Sequence, residues 1–383
     1  MQRTAVVILL LSLFLSVATP APVQAREGIR VIYESASYIF AQKMVFEVAI
    51  EGELREANLF YQIEGETGQH YHRATINDGT ATEVIFLRPG EIPPAAEITY
   101  FWRLEDVNGY LLRTEERSFL YLDQQLPWQS QERGDTTIFW YGKDRQFADT
   151  VLTHLDRSFT HIKNKLGLTQ KEPIKVVIYQ SSREMQRALP QQWGGQPVIT
   201  LGVAFNHRTL VLFLDWGWER TLTHELTHLL TFQLMGEPYD YLPFWLCEGL
   251  ATYTEGRSRG PITEPLRLSY LSSKPTKPEL VGPAYAQAQS IVTFLVEEHG
   301  GKEKVNRLLT TLAEGATVDD ASLTVYGFDR RGLERKWRDW LGYPLPEEET
   351  SIGIEVAAIG ELIELVIALL LVLIVLPIWR LKR

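Results

Sequence analysis

From residue 28 to 122 the chain is a run of short β-type segments separated by turn signals. Segments such as "MVFEVAIEG", "ANLFYQIEG" and "TEVIFLRPG" alternate apolar and polar positions, most cleanly through Val45, Phe46, Glu47, Val48, Ala49 and Ile50. That period of two, with a hairpin signal at Asn108-Gly109, predicts antiparallel strands with one wet face. About seven such strands predict an immunoglobulin- or fibronectin-like β-sandwich over 26–122. The stretch Asp123–Arg133 is polar and broken by Pro127, and reads as a linker. Beyond it the period changes. "TTIFWYG" reads as a strand, Arg145–Leu166 as a helix, "PIKVVIYQ" as a strand and Ser182–Leu189 as a helix. "VITLGVAFNHRTLVLFL" reads as a hairpin turning at Asn206 and His207, and helical spacing alone follows. Strands mixed with helices, then helices only, predict an α+β domain over 134–346.

The two ends carry the longest apolar runs. "MQRTAVVILLLSLFLSVATPAPVQA" has one arginine, an apolar stretch from Ala5, and Val23 and Ala25 placed for cleavage, so 1–25 reads as a signal peptide. At the other end Leu365–Trp379 is free of charge, and counting from Val356 gives a segment close to the ~20 residues that cross a bilayer. Residues 347–355 hold Glu347, Glu348, Glu349 and Glu355, while Arg380, Lys382 and Arg383 follow the segment. By the positive-inside rule this predicts a C-terminal transmembrane helix over 356–379, a cytoplasmic tail over 380–383, and a single-pass cell-membrane protein with an extracytoplasmic N-terminal ectodomain. The formal charge is −10 with no internal basic stripe, which argues against a nucleic-acid partner. Cys247 is the one cysteine among 383 residues, so no intrachain disulfide forms; it reads as a small buried hydrophobe.

Candidate chemistry starts at "ERTLTHELTHLLTF", residues 219–232. Leu222, Leu226, Leu229 and Leu230 give one helix face, and Gly236 supplies a stop. His224 and His228 then stack one turn apart on another face, where two imidazoles reach one metal ion, with Glu225 beside them. In "PFWLCEGLATYTEG", Pro243 opens a second helix and Gly256 closes it. Glu248 lies 20 residues after His228 in an apolar run, where a buried carboxylate is costly unless it meets a cation. Two histidines and this glutamate make a three-ligand zinc site with an open fourth position, one Zn2+ per chain. Thr252 and Glu255 share the Glu248 face and are placed to orient a ligand histidine; for Glu255 a solvated carboxylate at the helix end is the equal alternative. His70 and His72 share a strand face but have no third ligand beside them and read as exposed polar residues.

His224-Glu225-Leu226-Thr227-His228 followed by Trp245-Leu246-Cys247-Glu248-Gly249-Leu250-Ala251 resembles the gluzincin (peptidase MA-like) zinc metallopeptidases, the thermolysin and zinc-aminopeptidase group. The likeness is close over 224–255 and in outline over 134–345. It implies a gluzincin-type metallopeptidase domain acting on a peptide or protein substrate, with Glu225 as general base. "PAYAQAQSIVTFLVEEHGG", Pro283–Gly301, resembles the aminopeptidase segment in which a tyrosine before a helix stabilises the oxyanion. That implies Tyr285 as electrophile; a packing role for Tyr285, with His207 or Tyr253 in its stead, is the alternative. The stretch Gly202–Asn206 lacks the glutamate that holds a free amine in the aminopeptidases, which favours an endopeptidase. The rival from another class is a non-catalytic cell-surface binding or adhesion protein, its β-sandwich meeting a protein or surface partner and its zinc domain structural. Glu225 discriminates, since a structural zinc needs no base.

Overall fold

A computed structural model describes residues 29–190, 201–214 and 217–344. The expected signal peptide, the 347–355 stretch, the 356–379 segment and the 380–383 tail lie outside these. The chain divides into two compact units, one reaching Gln125 and including Arg187–Gln191, the other formed by Leu126–Gln186 and the chain from Gln192 on.

In the first unit, β1 (Arg30–Ile39), β2 (Lys43–Glu51), β3 (Leu54–Ile63), β4 (His70–Arg73), β5 (Thr75–Asn77), β6 (Thr80–Phe86), β7 (Ala96–Asp106), β8 (Leu111–Arg113) and β9 (Arg117–Tyr121) form two antiparallel sheets. Their orders are β1-β2-β6-β5 and β4-β3-β7-β8, with β9 also on β7. Inward positions of both sheets share one core built on Met44, Phe46, Leu59, Ile98 and Trp102, all fully enclosed. Nine strands stand among the described residues where about seven were expected. The extra ones, β5 and β8, are three residues long and give too little alternation to read.

The second unit opens with β10 (Gln129–Arg133) and β11 (Thr136–Trp140), then α1 (Arg145–Leu166), β12 (Ile174–Tyr179) and α2 (Ser182–Ala188). β13 (Gly202–Ala204), β14 (Thr209–Phe213) and α3 (Trp218–Met235) follow. Helices complete it: α4 (Phe244–Glu255), α5 (Pro278–Glu298), α6 (Gly301–Ala313), α7 (Val318–Tyr326) and α8 (Arg330–Leu341). The sheet order is β10-β11-β12-β14-β13, with β11, β12 and β14 parallel. β10 occupies residues expected as linker; its sequence QSQER is exposed along nearly its whole length, so an edge strand leaves no apolar trace. β13 and β14 form the hairpin, and the Asn206 carboxamide oxygen accepts the Arg208 and Thr209 N–H groups at 2.8 Å to close its turn.

One expectation on fold class is corrected. Among the described residues no helix is long and apolar enough to cross a membrane. The two longest are α1, which carries charged residues on the face it does not bury, and α5, which has Glu279, Glu297 and Glu298 at its ends and Gln287, Gln289 and Ser290 in its middle. The fold is several β-sheets with eight helices among the described residues, and the transmembrane helix and single-pass membrane localisation drop out of it.

Candidate metal centre

α3 is held by its leucines. Leu222, Leu226, Leu229 and Leu230 are fully buried and join a core with Val176, Leu210 and Leu212 of the sheet and with Leu152 and Leu155 of α1. Polar anchors add register: Thr227 Oγ1 lies 2.6 Å from Thr254 Oγ1 on α4, and Ser158 Oγ lies 2.8 Å from Thr223 Oγ1. α4 starts after extended Pro243 and ends at Gly256, whose φ of 74° is left-handed backbone that glycine adopts without strain. Its close approach to α5 depends on Gly249, where a Cβ would stand 2.5 Å from the Ala288 carbonyl oxygen.

This packing brings His224, His228 and Glu248 together. The Nε2 atoms of the two histidines are 3.2 Å apart, and Glu248 Oε2 is 3.3 Å from that of His224 and 3.6 Å from that of His228. A point equidistant from the three lies about 2 Å from each, the length of zinc–nitrogen and zinc–oxygen bonds. Among the described residues Glu248 Oε2 is buried with no hydrogen-bond partner, and no other group of three histidine, cysteine or acidic residues converges in this way. Two imidazoles and a carboxylate, one oxygen of it lacking any donor, fit a divalent ion of zinc type.

Other groups hold these three side chains from behind. Glu255 Oε2 is 3.4 Å from His224 Nδ1 and accepts from Arg259 Nη2 at 2.6 Å. Tyr239, in a 3-10 turn between α3 and α4, sets its hydroxyl 3.0 Å from His228 Nδ1 and 3.3 Å from Cys247 Sγ. The Tyr239 ring stacks on Phe232, centroids 4.8 Å apart and planes 7° from parallel, which fixes its direction. Thr252 does not act as expected: its hydroxyl donates back to the Glu248 carbonyl at 2.6 Å, within its own helix. Neither Tyr239 nor Cys247 was read as a site residue; one sits in an aperiodic connection, and the other looked like packing.

Glu225 points at β13, where Oε2 accepts the Ala204 N–H at 3.1 Å. Room for it depends on Gly202, whose absent Cβ would come within 2.8 Å of Glu225 Cγ. Tyr285 lies inside α5, not ahead of it; Pro283 is in the second turn and the helix begins at Pro278. The ring meets Phe244 edge-on at 5.2 Å and lies 5.1 Å below the Arg259 guanidinium. Tyr253 takes the Lys165 ammonium over its ring, and His207 pairs with Glu172 at 3.5 Å. His70 and His72 pair with Glu66 and Glu83, at 2.7 and 3.2 Å; the His70 ring stacks on Tyr61 and the His72 ring is tilted against it.

The charges interlock. Burial opposes protonation of His224, but the Glu248 and Glu255 carboxylates beside its two ring nitrogens outweigh it and raise its pKa above 6.5. Burial likewise opposes His228, and the Cys247 sulfur and Glu248 carboxylate hold it well above that value. Glu248 runs the other way: burial pushes its carboxyl up, but the two imidazoles draw it far below the usual carboxylate range. Burial, then the Glu248 and Glu225 charges, push the Tyr285 phenol well above its ordinary 10.

Residues 155–264 and 266–343 match the family model described as the Peptidase MA superfamily. The matched region is a metallopeptidase-like domain of the MA clan. His224, Glu225, His228, Glu248 and Tyr285 all fall within this MA-like domain. No curated protein matches the chain. Solved structures similar to parts of it include a carbohydrate-binding module family 56 β-1,3-glucan binding domain, 16% identical over 23% of this chain and 95% of that one, with TM-score 0.19. Another is a GH family 64 laminaripentaose-producing β-1,3-glucanase from Paenibacillus barengoltzii, 13% identical over 23% of this chain and 20% of that one, with TM-score 0.19. A third is a cycloalternan-degrading enzyme from Trueperella pyogenes, 14% identical over 26% of this chain and 12% of that one, with TM-score 0.18.

Proposed function

We propose that the MA-like domain is a zinc-dependent peptidase of the gluzincin type that hydrolyses internal peptide bonds. His224, His228 and Glu248 are its metal ligands, Glu225 its general base and Tyr285 its oxyanion donor. The observation that carries this reading is the triangle of His224 Nε2, His228 Nε2 and the partnerless Glu248 Oε2, next to a carboxylate already aimed by a backbone N–H.

His224, His228 and Glu248 would hold a zinc ion, which would supply Lewis acidity to activate a water and polarise the scissile carbonyl. The Ala204 N–H holds Glu225 Oε2, leaving Oε1 to take the water's proton and return it to the departing amine. Tyr285, raised above its ordinary pKa, stays protonated at neutral pH and donates to the oxygen on which charge develops. Tyr239 and Cys247 set the orientation of His228, and Glu255 that of His224. The stretch Gly202–Asn206 has no carboxylate to hold a free amine, which favours cleavage within a chain over removal of its first residue.

The test is reconstitution. The full chain should bind one zinc ion, hydrolyse an internally quenched peptide, stop when the metal is chelated and recover when zinc is returned. Undiminished hydrolysis by the metal-free protein would overturn the reading.

A further inference from the structure

We infer that a cleft beside the metal centre receives a carboxylate of the peptide substrate; this rests on the peptidase reading above. The cleft has a volume of about 660 Å3 and lies between residues 257–266 and the first half of α5, lined by Arg257, Arg259, Ile262, Glu264, Leu280 and Pro283 among others.

Its outer wall is a built surface and not a loose loop. Gln289 Nε2 donates to the Arg257 carbonyl at 2.8 Å. Buried Gln287 accepts the Leu266 N–H at 2.8 Å and donates to the Leu266 carbonyl at 2.7 Å. Arg338 Nη2 donates to the Pro265 carbonyl at 2.9 Å, and the Tyr343 hydroxyl to that of Ile262 at 2.8 Å. Side chains from α5, α8 and the residues after α8 thus fix both ends and the middle of the segment, so its arginines project from a set backbone.

The charged lining of the cleft is Arg257, Arg259 and Glu264, in a chain whose net charge is −10. Arg259 is shared with the metal centre: Nη2 holds Glu255, the guanidinium covers Tyr285, and Nε is buried with no hydrogen-bond partner among the described residues. Arg257 lines the same cleft, and no acidic side chain pairs with it among the described residues. The Arg257 guanidinium fork suits a carboxylate, and Ile262, Leu280 and Pro283 give its carbon stem an apolar wall. The carboxylate comes either from an aspartate or glutamate side chain or from the substrate's C-terminus.

The test reads binding without turnover. Fluorescein-labelled peptides of one neutral sequence are titrated against the zinc-loaded full chain carrying Glu225→Gln. Three forms are compared: amidated, amidated with a glutamate scanned along it, and unamidated with a free C-terminal carboxylate. One acidic form should bind about tenfold tighter than the neutral amide, and which form does so identifies the source of the carboxylate. Adding Arg257→Glu should abolish that advantage and favour a lysine-bearing peptide. Equal Kd for all forms, or an advantage that survives Arg257→Glu, would overturn the carboxylate site while leaving zinc-dependent hydrolysis by the wild type intact. A Kd difference with no wild-type hydrolysis would count against the peptidase reading alone.

Discussion

Tyr239 and Cys247 meet at the far nitrogen of His228, 3.0 and 3.5 Å away, and a ligand imidazole held at Nδ1 keeps Nε2 aimed at the other two donors. Removing the hydroxyl in Tyr239→Phe keeps the ring on Phe232 but frees the imidazole to turn. Zinc affinity, measured by competition with a chelator, should fall about 10–100-fold; an unchanged affinity would show that packing alone orients the ligand. That His224, His228 and Glu248 converge was legible because HExxH and the WLCEG glutamate are local patterns on helices of known period, joined by a short connection. Tyr239 was not, because its 3-10 turn has no period to mark which way a side chain points. Thr252 was misassigned for a related reason: helical spacing places a residue on a face, but a hydroxyl there is as well served by its own i−4 carbonyl.

At the scale of elements, the centre depends on how closely α4 sits against α5. In Gly249→Ala the new methyl would stand 2.5 Å from the Ala288 oxygen and 2.6 Å from Val292 Cγ2, so the helices must part next to Glu248. Overpacking of this kind costs roughly 1–3 kcal/mol. Urea denaturation should show a loss in that range together with weaker zinc binding, and full retention of both would mean that the interface yields freely. The strands and helices that bury an apolar face were readable from pattern. β10 was not, since an edge strand with both faces wet alternates nothing. The parallel order of β11, β12 and β14 was not readable either, because period gives a strand its faces but not its neighbours. The family resemblance put Tyr285 ahead of a helix, whereas α5 starts at Pro278 and runs on through Pro283.

Over the whole molecule, linked protonation sets how metal and pH compete. His224 and His228 are held above 6.5, so their contribution to the metal-free protein is fully present below that pH and is lost as pH rises through their folded values. Glu248 is held low, so its contribution is present above 4.5 and is lost only as pH falls through its folded value. Zinc must displace the histidine protons, so its affinity climbs as they leave. The rise in Tm on adding zinc should therefore grow between about pH 6 and about pH 8; a rise that shrank over that interval would contradict the ligand assignment. The apolar length of residues 356–379 predicted a span; among the described residues no helix is long and apolar enough to cross a membrane.

The central claim is that Glu225 does chemistry beside a metal it does not bind. The direct measurement is zinc content and peptide hydrolysis of the wild type and Glu225→Gln side by side. The variant should keep one zinc ion per chain and lose roughly 10²–10⁴-fold in kcat/KM, the scale of a removed general base. Equal hydrolysis by the two proteins would contradict the account.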